Sequence, residues 1–183
     1  MFSFIGGSAG PWLIDQMHGV VGESMVIPSR LSIVPGPVLQ LPHGAAWFLR
    51  GITSNERYVV REEKDALVSR QEGLGRGAST RAALIPIRKN AAWWALTQDE
   101  RREVFEAQSH HIAMGLKYLP AVARRLHHCR DLGPDEPFDF LTWFEYAPSD
   151  SSAFEELVEA LRASPEWKYV DREVDIRLTH AEA

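Results

Sequence analysis

The residues of this chain best suited to chemistry are an imidazole at His111 and a guanidinium at Arg124, with Pro120 between them. An imidazole can ligate a metal, and a guanidinium is a permanent cation that attracts anions. Helical phase separates His111 from its neighbour His110. With residues 98–118 read as one helix, Val104, Ala107, His111, Met114, Gly115 and Tyr118 share a face. His110 falls with Glu103, Glu106 and Lys117 on a solvated face. His111 is therefore expected to point inward, between two small residues, Ala107 and Gly115, that leave room for a large flat group. Inward histidines are more often satisfied core residues, so phase alone assigns no function. In a predicted strand over residues 121–130, Val122, Arg124, Leu126 and His128 share one face. This turns Arg124 toward a pocket, against the competing reading of an edge arginine that snorkels to water. A continuous helix would hold the two groups ~20 Å apart. Pro120 breaks that line and lets the strand fold back, so both can approach one site.

Other chemistries find less support. Adjacent histidines diverge by about 100° on a helix, so His110 and His111 cannot chelate one zinc ion together. Glu106 lies one turn before His110 but lacks a third ligand. The spacing Gly73, Gly75, Gly77 fits neither a dinucleotide fingerprint nor a P-loop and reads as a plain loop. Covalent c-type attachment needs Cys-x-x-Cys-His, and the one cysteine, Cys129, has no such context. A buried structural role is expected for it. His127 and His128 read as polar strand residues on opposite faces. Trp93 and Trp94 suit a core, or the border of a planar cofactor.

The elements that must position these groups follow from pattern. At 183 residues, 45% of them hydrophobic, the chain can bury a real core as one domain or two fused half-domains. A net charge of -5 and the lack of a dense basic block argue against a nucleic-acid surface. No basic residue precedes Arg30, so a signal peptide is not expected. No apolar run approaches the roughly 20 residues that span a bilayer. The expected location is the cytoplasm. Residues 1–45, rich in Gly and Pro, offer only short strand candidates at 19–22 and 31–34. A strand at 47–53 and a helix at 61–71 follow. From residue 82 the order is strand (82–88), capped helix (98–118), strand (121–130), strand (138–146), helix (151–163) and strand (167–178). Thr97 and Glu100 form the capping box. The strand at 138–146 puts Phe138, Phe140, Thr142, Phe144 and Tyr146 on a face walling the pocket, and Leu141, Trp143 and Glu145 toward the helices. The fold class is α+β: a complete C-terminal ferredoxin-like unit over 81–183, preceded by a reduced copy over 1–80.

Several segments together resemble one family. They are Ala83 to Lys89, Ala92-Trp93-Trp94, Ser109-His110-His111-Ile112-Ala113, Tyr118 to Ala121, Arg124, and His128 to Asp131. Phe138 to Tyr146 and Tyr169 to Leu178 match as well. The chain resembles the chlorite dismutases, and especially their short-chain lineage, from Leu49 onward. The resemblance implies a dimeric α/β barrel type of fold, a homodimer, and one non-covalent haem b per subunit. His111 would be the proximal iron ligand, and Glu166 the carboxylate that accepts its other ring N–H. Arg124 would be the distal cation and Gln71 the residue holding it inward. Tyr58, Lys89, Trp93 and Trp94 match positions near the haem edge and propionates. The implied reaction turns chlorite into chloride and dioxygen, with Arg124 attracting the anion and restraining hypochlorite. Within the same superfamily, coproporphyrin-haem decarboxylases share the histidine but generally lack the arginine. A haem-binding protein without turnover is the reading from another class.

Overall fold

Four strands precede the first long helix in the computed structural model, which describes residues 1–55 and 57–182. They are β1 (Phe2–Gly7), β2 (Trp12–Val21), β3 (Arg30–Pro35) and β4 (Ala45–Thr53). Then come α1 (Arg61–Arg70), β5 (Arg81–Lys89), α2 (Ala91–Ala95), α3 (Gln98–Arg102), α4 (His111–Lys117), β6 (Ala123–His128), β7 (Phe140–Tyr146), α5 (Ser151–Arg162) and β8 (Val170–His180). The Gly/Pro-rich start therefore holds three strands where pattern offered two short candidates. Its glycines are functional in the barrel wall. At Gly6 a Cβ would lie 2.4 Å from the Trp47 ring, so only glycine lets that indole into the interior.

The eight strands close into one antiparallel barrel in the order β1-β3-β2-β8-β5-β7-β6-β4. The C-terminal strands run β8-β5-β7-β6 and the N-terminal ones β4-β1-β3-β2, the same permutation twice. Closure gives every strand an inner and an outer face. Phe4, Trp12, Leu31, Leu49, Leu84, Leu141, Trp143 and Ile176 fill the inside. Ala83, Ile85, Phe144 and Tyr146 face outward and pack against Phe154, Leu157, Val158 and Leu161 of α5. This corrects the expected facing of β7. Leu141 and Trp143 meet the barrel interior, and the aromatic face carries the helix. Phe138 belongs to the interior set as well. The pocket and the helices share the outer face, Thr142 and Phe144 lining the one while Phe144 packs on the other, so the site lies between sheet and helices.

The expected single helix over 98–118 is also corrected. Glu100 accepts hydrogen bonds from the Thr97 N–H and hydroxyl at 2.7 and 2.9 Å, so the cap forms as expected. After α3 the chain widens into a π-helical stretch, Glu103–Gln108, and breaks at His110, whose φ of 51° is left-handed. The phase drawn for an unbroken 3.6 repeat thus fails past residue 103, and Ala107 is exposed rather than inward. From residue 45 onward the other boundaries move by one to three residues, the strand candidate at 19–22 proves to begin at Trp12, and Pro165–Tyr169, whose last three residues were expected to open the final strand, form a 3-10 turn.

Candidate active site

A cavity of about 360 Å³ opens between the outer face of β5, β6 and β7 and the helices α1, α4 and α5. His111, Arg124 and Gln71 all line it, with Ile85, Ile87 and Phe144 among its apolar walls. The two groups singled out by type and phase are brought to one place.

His111 reaches the cavity by a local device rather than by helical phase. The break at His110 restarts the helix at His111, so this residue opens α4. Glu106 stabilises the restart. Its carboxylate accepts the Ile112 N–H at 2.6 Å and the Ala113 N–H at 3.4 Å, both left without intrahelical partners at a helix start. Phe105 stacks on the imidazole, with centroids 4.2 Å apart and planes 22° apart. Glu166 then fixes the ring edge, its Oε2 lying 2.8 Å from His111 Nδ1. The other Glu166 oxygen meets Lys89 Nζ at 2.6 Å, both side chains being about 95% buried or more. Burial would raise the Glu166 pKa, but the adjacent Lys89 ammonium and His111 overcome this and hold it at about 2. An ionised acceptor places the imidazole proton on Nδ1 and leaves the Nε2 lone pair free as a ligand. Ser109 holds the Glu166 main chain in place, its hydroxyl accepting the Glu166 N–H at 2.9 Å.

Arg124 lies on the outer face of β6, as the strand phase requires. Its guanidinium rests on Gly115, where a Cβ would come within 2.0 Å of Nη2. The space expected beside His111 is therefore used by Arg124. No carboxylate pairs with it among the described residues, and Nη1 is buried without a partner. Burial lowers its pKa to about 10, which still leaves a full cation at neutral pH. Gln71 donates from Nε2 to the Arg124 backbone carbonyl at 2.8 Å, so it anchors the strand beneath the guanidinium rather than the charge itself.

The remaining expected residues divide. Tyr58 and Trp93 line a side chamber with His111 and Glu166. The Tyr58 hydroxyl and Trp93 Nε1 are buried there without partners, and Tyr58 has a left-handed φ of 65°. Lys89, expected at a cofactor edge, directs its ammonium to Glu166 and over the Trp93 ring at 4.7 Å. Trp94 is absent from the lining of either chamber. It stacks on Phe140 and donates to Asp139 Oδ2 at 3.3 Å. Sequence reading missed Glu106, Ser109, Phe105 and Arg57. The first three depend on a helix break that no repeat signals. Arg57, whose Nε is buried without a partner, lies in a loop with no pattern to read.

Comparison with known proteins agrees with this geometry. The sequence profile of the chlorite dismutase family matches residues 45–181. A chlorite dismutase of Ideonella dechloratans is 34% identical over 123 residues, which are 66% of this chain and 40% of that protein. The chain thus spans less than half the length of that relative. The crystal structure of dimeric chlorite dismutase from Nitrobacter winogradskyi is 59% identical, covers 99% of this chain and 100% of its own, and superposes with a TM-score of 0.90. A point mutant of the Candidatus Nitrospira defluvii chlorite dismutase is 28% identical over 74% of this chain and 55% of its own, with a TM-score of 0.60. With a profile match over most of its length and a near-complete structural counterpart, this chain belongs to the chlorite dismutase family.

Proposed function

We propose that the protein is a haem b enzyme that converts chlorite to chloride and dioxygen, acting as a homodimer in the cytoplasm. The observation that carries this reading is an unpaired, half-buried Arg124 cation sharing one apolar cavity with an imidazole whose Nε2 is free. The donor set fits a haem: one nitrogen ligand with its tautomer fixed, apolar walls, and a cavity in the size range of ligand sites. Tyr58 and Trp93 add buried donors without partners at its side.

When bound, the haem supplies the redox-active iron at which chlorine–oxygen cleavage and oxygen–oxygen formation occur. His111 would ligate it through Nε2. Glu166 keeps the proton on Nδ1 and makes the imidazole a stronger donor, while Lys89 keeps Glu166 ionised. Arg124 draws chlorite into a site where water screens charge poorly, and retains anionic hypochlorite until it reacts. The apolar walls exclude water from that pocket. No residue needs to act as a general base. Gln71 sets the position of the Arg124 backbone.

The finer architecture belongs to the same reading. Residues 1–80 and 81–183 form two ferredoxin-like units, the first reduced, and the repeated strand permutation supports this. No helix among the described residues is long and apolar enough to cross a membrane. Oxygen release from chlorite by the purified haem-loaded protein tests the function. One dioxygen per chlorite is expected. Haem binding without oxygen release would leave a binding protein, and loss of propionate carboxyls from bound coproporphyrin haem would favour decarboxylation.

A further inference from the structure

The six tryptophans of the chain divide into two sets by what lies on their ring faces. Trp93 lines the side chamber beside His111, Trp167 lines both chambers, and Trp94 stacks on Phe140 at the side chamber's wall. Each of these three carries a cation over its ring. Lys89 Nζ lies 4.7 Å from the Trp93 ring centroid and 5.6 Å from that of Trp167. The guanidinium carbons of Arg130 and Arg101 lie 4.1 and 5.0 Å from the Trp94 centroid. Trp12, Trp47 and Trp143 pack in or against the barrel core, and among the described residues no Lys or Arg lies over their rings.

Ion pairing alone does not account for this placement. Lys89 is 5% exposed, and Glu166 offsets the cost of burying its charge through the 2.6 Å contact. That contact engages one nitrogen and asks nothing of the two indoles. The rings matter at a site that handles strong oxidants, because indoles and phenols give up one electron readily. Trp93 has phenol neighbours in Tyr58, with centroids 6.1 Å apart, and the half-buried Tyr169, at 5.5 Å. That series leads from the side chamber toward the surface. A neutral ring attracts a cation on its face, but once an electron has left, ring and cation repel. Where water is excluded this repulsion is screened little. A cation over the ring therefore makes the indole harder to oxidise.

We propose that Lys89, over Trp93 and Trp167, and Arg101 and Arg130, over Trp94, hold these indoles back from one-electron oxidation, so that oxidising equivalents stay where the substrate reacts. The proposal rests on the haem reading above and adds a task for the cations around it. The step held back is loss of one electron from an indole toward the haem, which leaves a radical cation on the ring. A second loss, with one oxygen taken from water and two protons released, gives a hydroxylated indole. A peracid supplied as oxidant takes up both electrons and both protons and becomes the carboxylic acid and water.

The test mixes haem-loaded protein with peracetic acid. Freeze-quench electron paramagnetic resonance reads indole radicals, and peptide mass spectrometry reads oxygen added at each tryptophan. Lys89→Gln removes the charge but also loosens the hold on Glu166. Glu166→Gln is therefore the control, since it weakens the imidazole as a donor and leaves the ammonium on the ring. Oxygen addition at Trp93 should rise at least about tenfold in Lys89→Gln, as expected for an unscreened charge removed from a ring face, and stay at the wild-type level in Glu166→Gln. Lys89→Gln/Trp93→Phe should lose the part of the radical signal that belongs to Trp93. Arg130→Gln lies away from the ligand and should raise oxygen addition at Trp94 about threefold, the smaller effect of a charge closer to solvent. An unchanged Trp93 in Lys89→Gln, an equal rise in Glu166→Gln, or an unchanged Trp94 in Arg130→Gln would overturn the proposal. A wild-type protein that takes up no haem would instead overturn the haem reading itself.

Discussion

Arg124 and Glu166 make opposite electrical demands on one small volume. Arg124 is a cation without a partner, while Glu166 is an anion locked between Lys89 and His111. Under the proposed function their separation divides the work: the first would deal with the substrate anion, the second with the imidazole of His111. Arg124→Ala should leave haem affinity largely intact, slow oxygen release, and let more hypochlorite escape to a chlorination trap, with faster haem bleaching. Arg124→Lys should recover part of this, because a point charge lacks the planar fork of donors. Full rate and full resistance to bleaching in the alanine variant would remove Arg124 from the mechanism. Glu166→Gln makes the imidazole less electron-donating and stabilises ferric iron less. Its reduction potential should therefore rise, with haem affinity falling roughly 10–100-fold. Spectroelectrochemical titration showing no rise would mean that this carboxylate does not govern the ligand. The strand phase of Arg124 was legible because alternation is strict along β6, whereas His111 was legible by its type alone, its helical phase being broken at His110. The partnership of Lys89 with Glu166 was not. It joins residues 77 positions apart, and nothing local distinguishes a lysine aimed at a buried carboxylate from one at a cofactor edge.

At the scale of elements, α4 is the decisive piece and the least legible one. A seven-residue helix carries almost no propensity of its own and depends on its start. Glu106 supplies that start, so Glu106→Ala should remove two accepted hydrogen bonds and cost about 1 kcal/mol, in the range of a lost cap. The loss should appear as faster haem dissociation, because His111 is the first residue of the helix it caps. Glu106→Gln, which keeps an acceptor oxygen, should restore most of the retention. Equal haem dissociation from wild type and Glu106→Ala would mean that His111 is held by Glu166 and Phe105 alone. An apolar repeat reports which residues prefer burial and is silent about a side chain that intercepts backbone amides. That is why residues 98–118 read as one helix, whereas α5, whose amphipathic face needs no such device, read correctly. The order of elements from β5 to β8 was equally legible from strand and helix periods. The inward and outward faces of β7 were not, because alternation separates two faces without saying which one a closing barrel encloses.

At the scale of the whole molecule, closure concentrates weakness at two seams. β4 meets β6 through two residue pairs, Ile52 with His128 and Thr53 with His127, and β2 meets β3 through two more. The first seam also encloses an ionisable group. His127 is fully buried between Phe2 and Phe4, with ring centroids 5.5 and 5.2 Å away, and a Cβ at Gly51 would lie 2.5 Å from its own Cβ. Arg125 Nε donates to its Nε2 at 3.2 Å, which puts the proton on Nδ1, a buried atom without a partner. Burial foremost, and then the Arg125 charge, lower its pKa from 6.5 to about 4. Since the folded value is depressed, the unfolded chain binds this proton first. The stability gained from keeping His127 neutral is complete above pH 6.5 and lost as the pH falls toward 4, about 3 kcal/mol in all. Glu166 acts lower, losing its contribution only as the pH falls from about 4.5 toward 2, so the two windows are distinguishable. Urea midpoints measured at pH 7, 5.5 and 4 should therefore fall steeply in the wild type and much less in His127→Phe, which fills the same aromatic niche without taking a proton. Amides of β4 and β6 should lose hydrogen-exchange protection before those of β5 and β8, whose pairing is longer. An unchanged slope in His127→Phe would move the origin of acid sensitivity away from this seam.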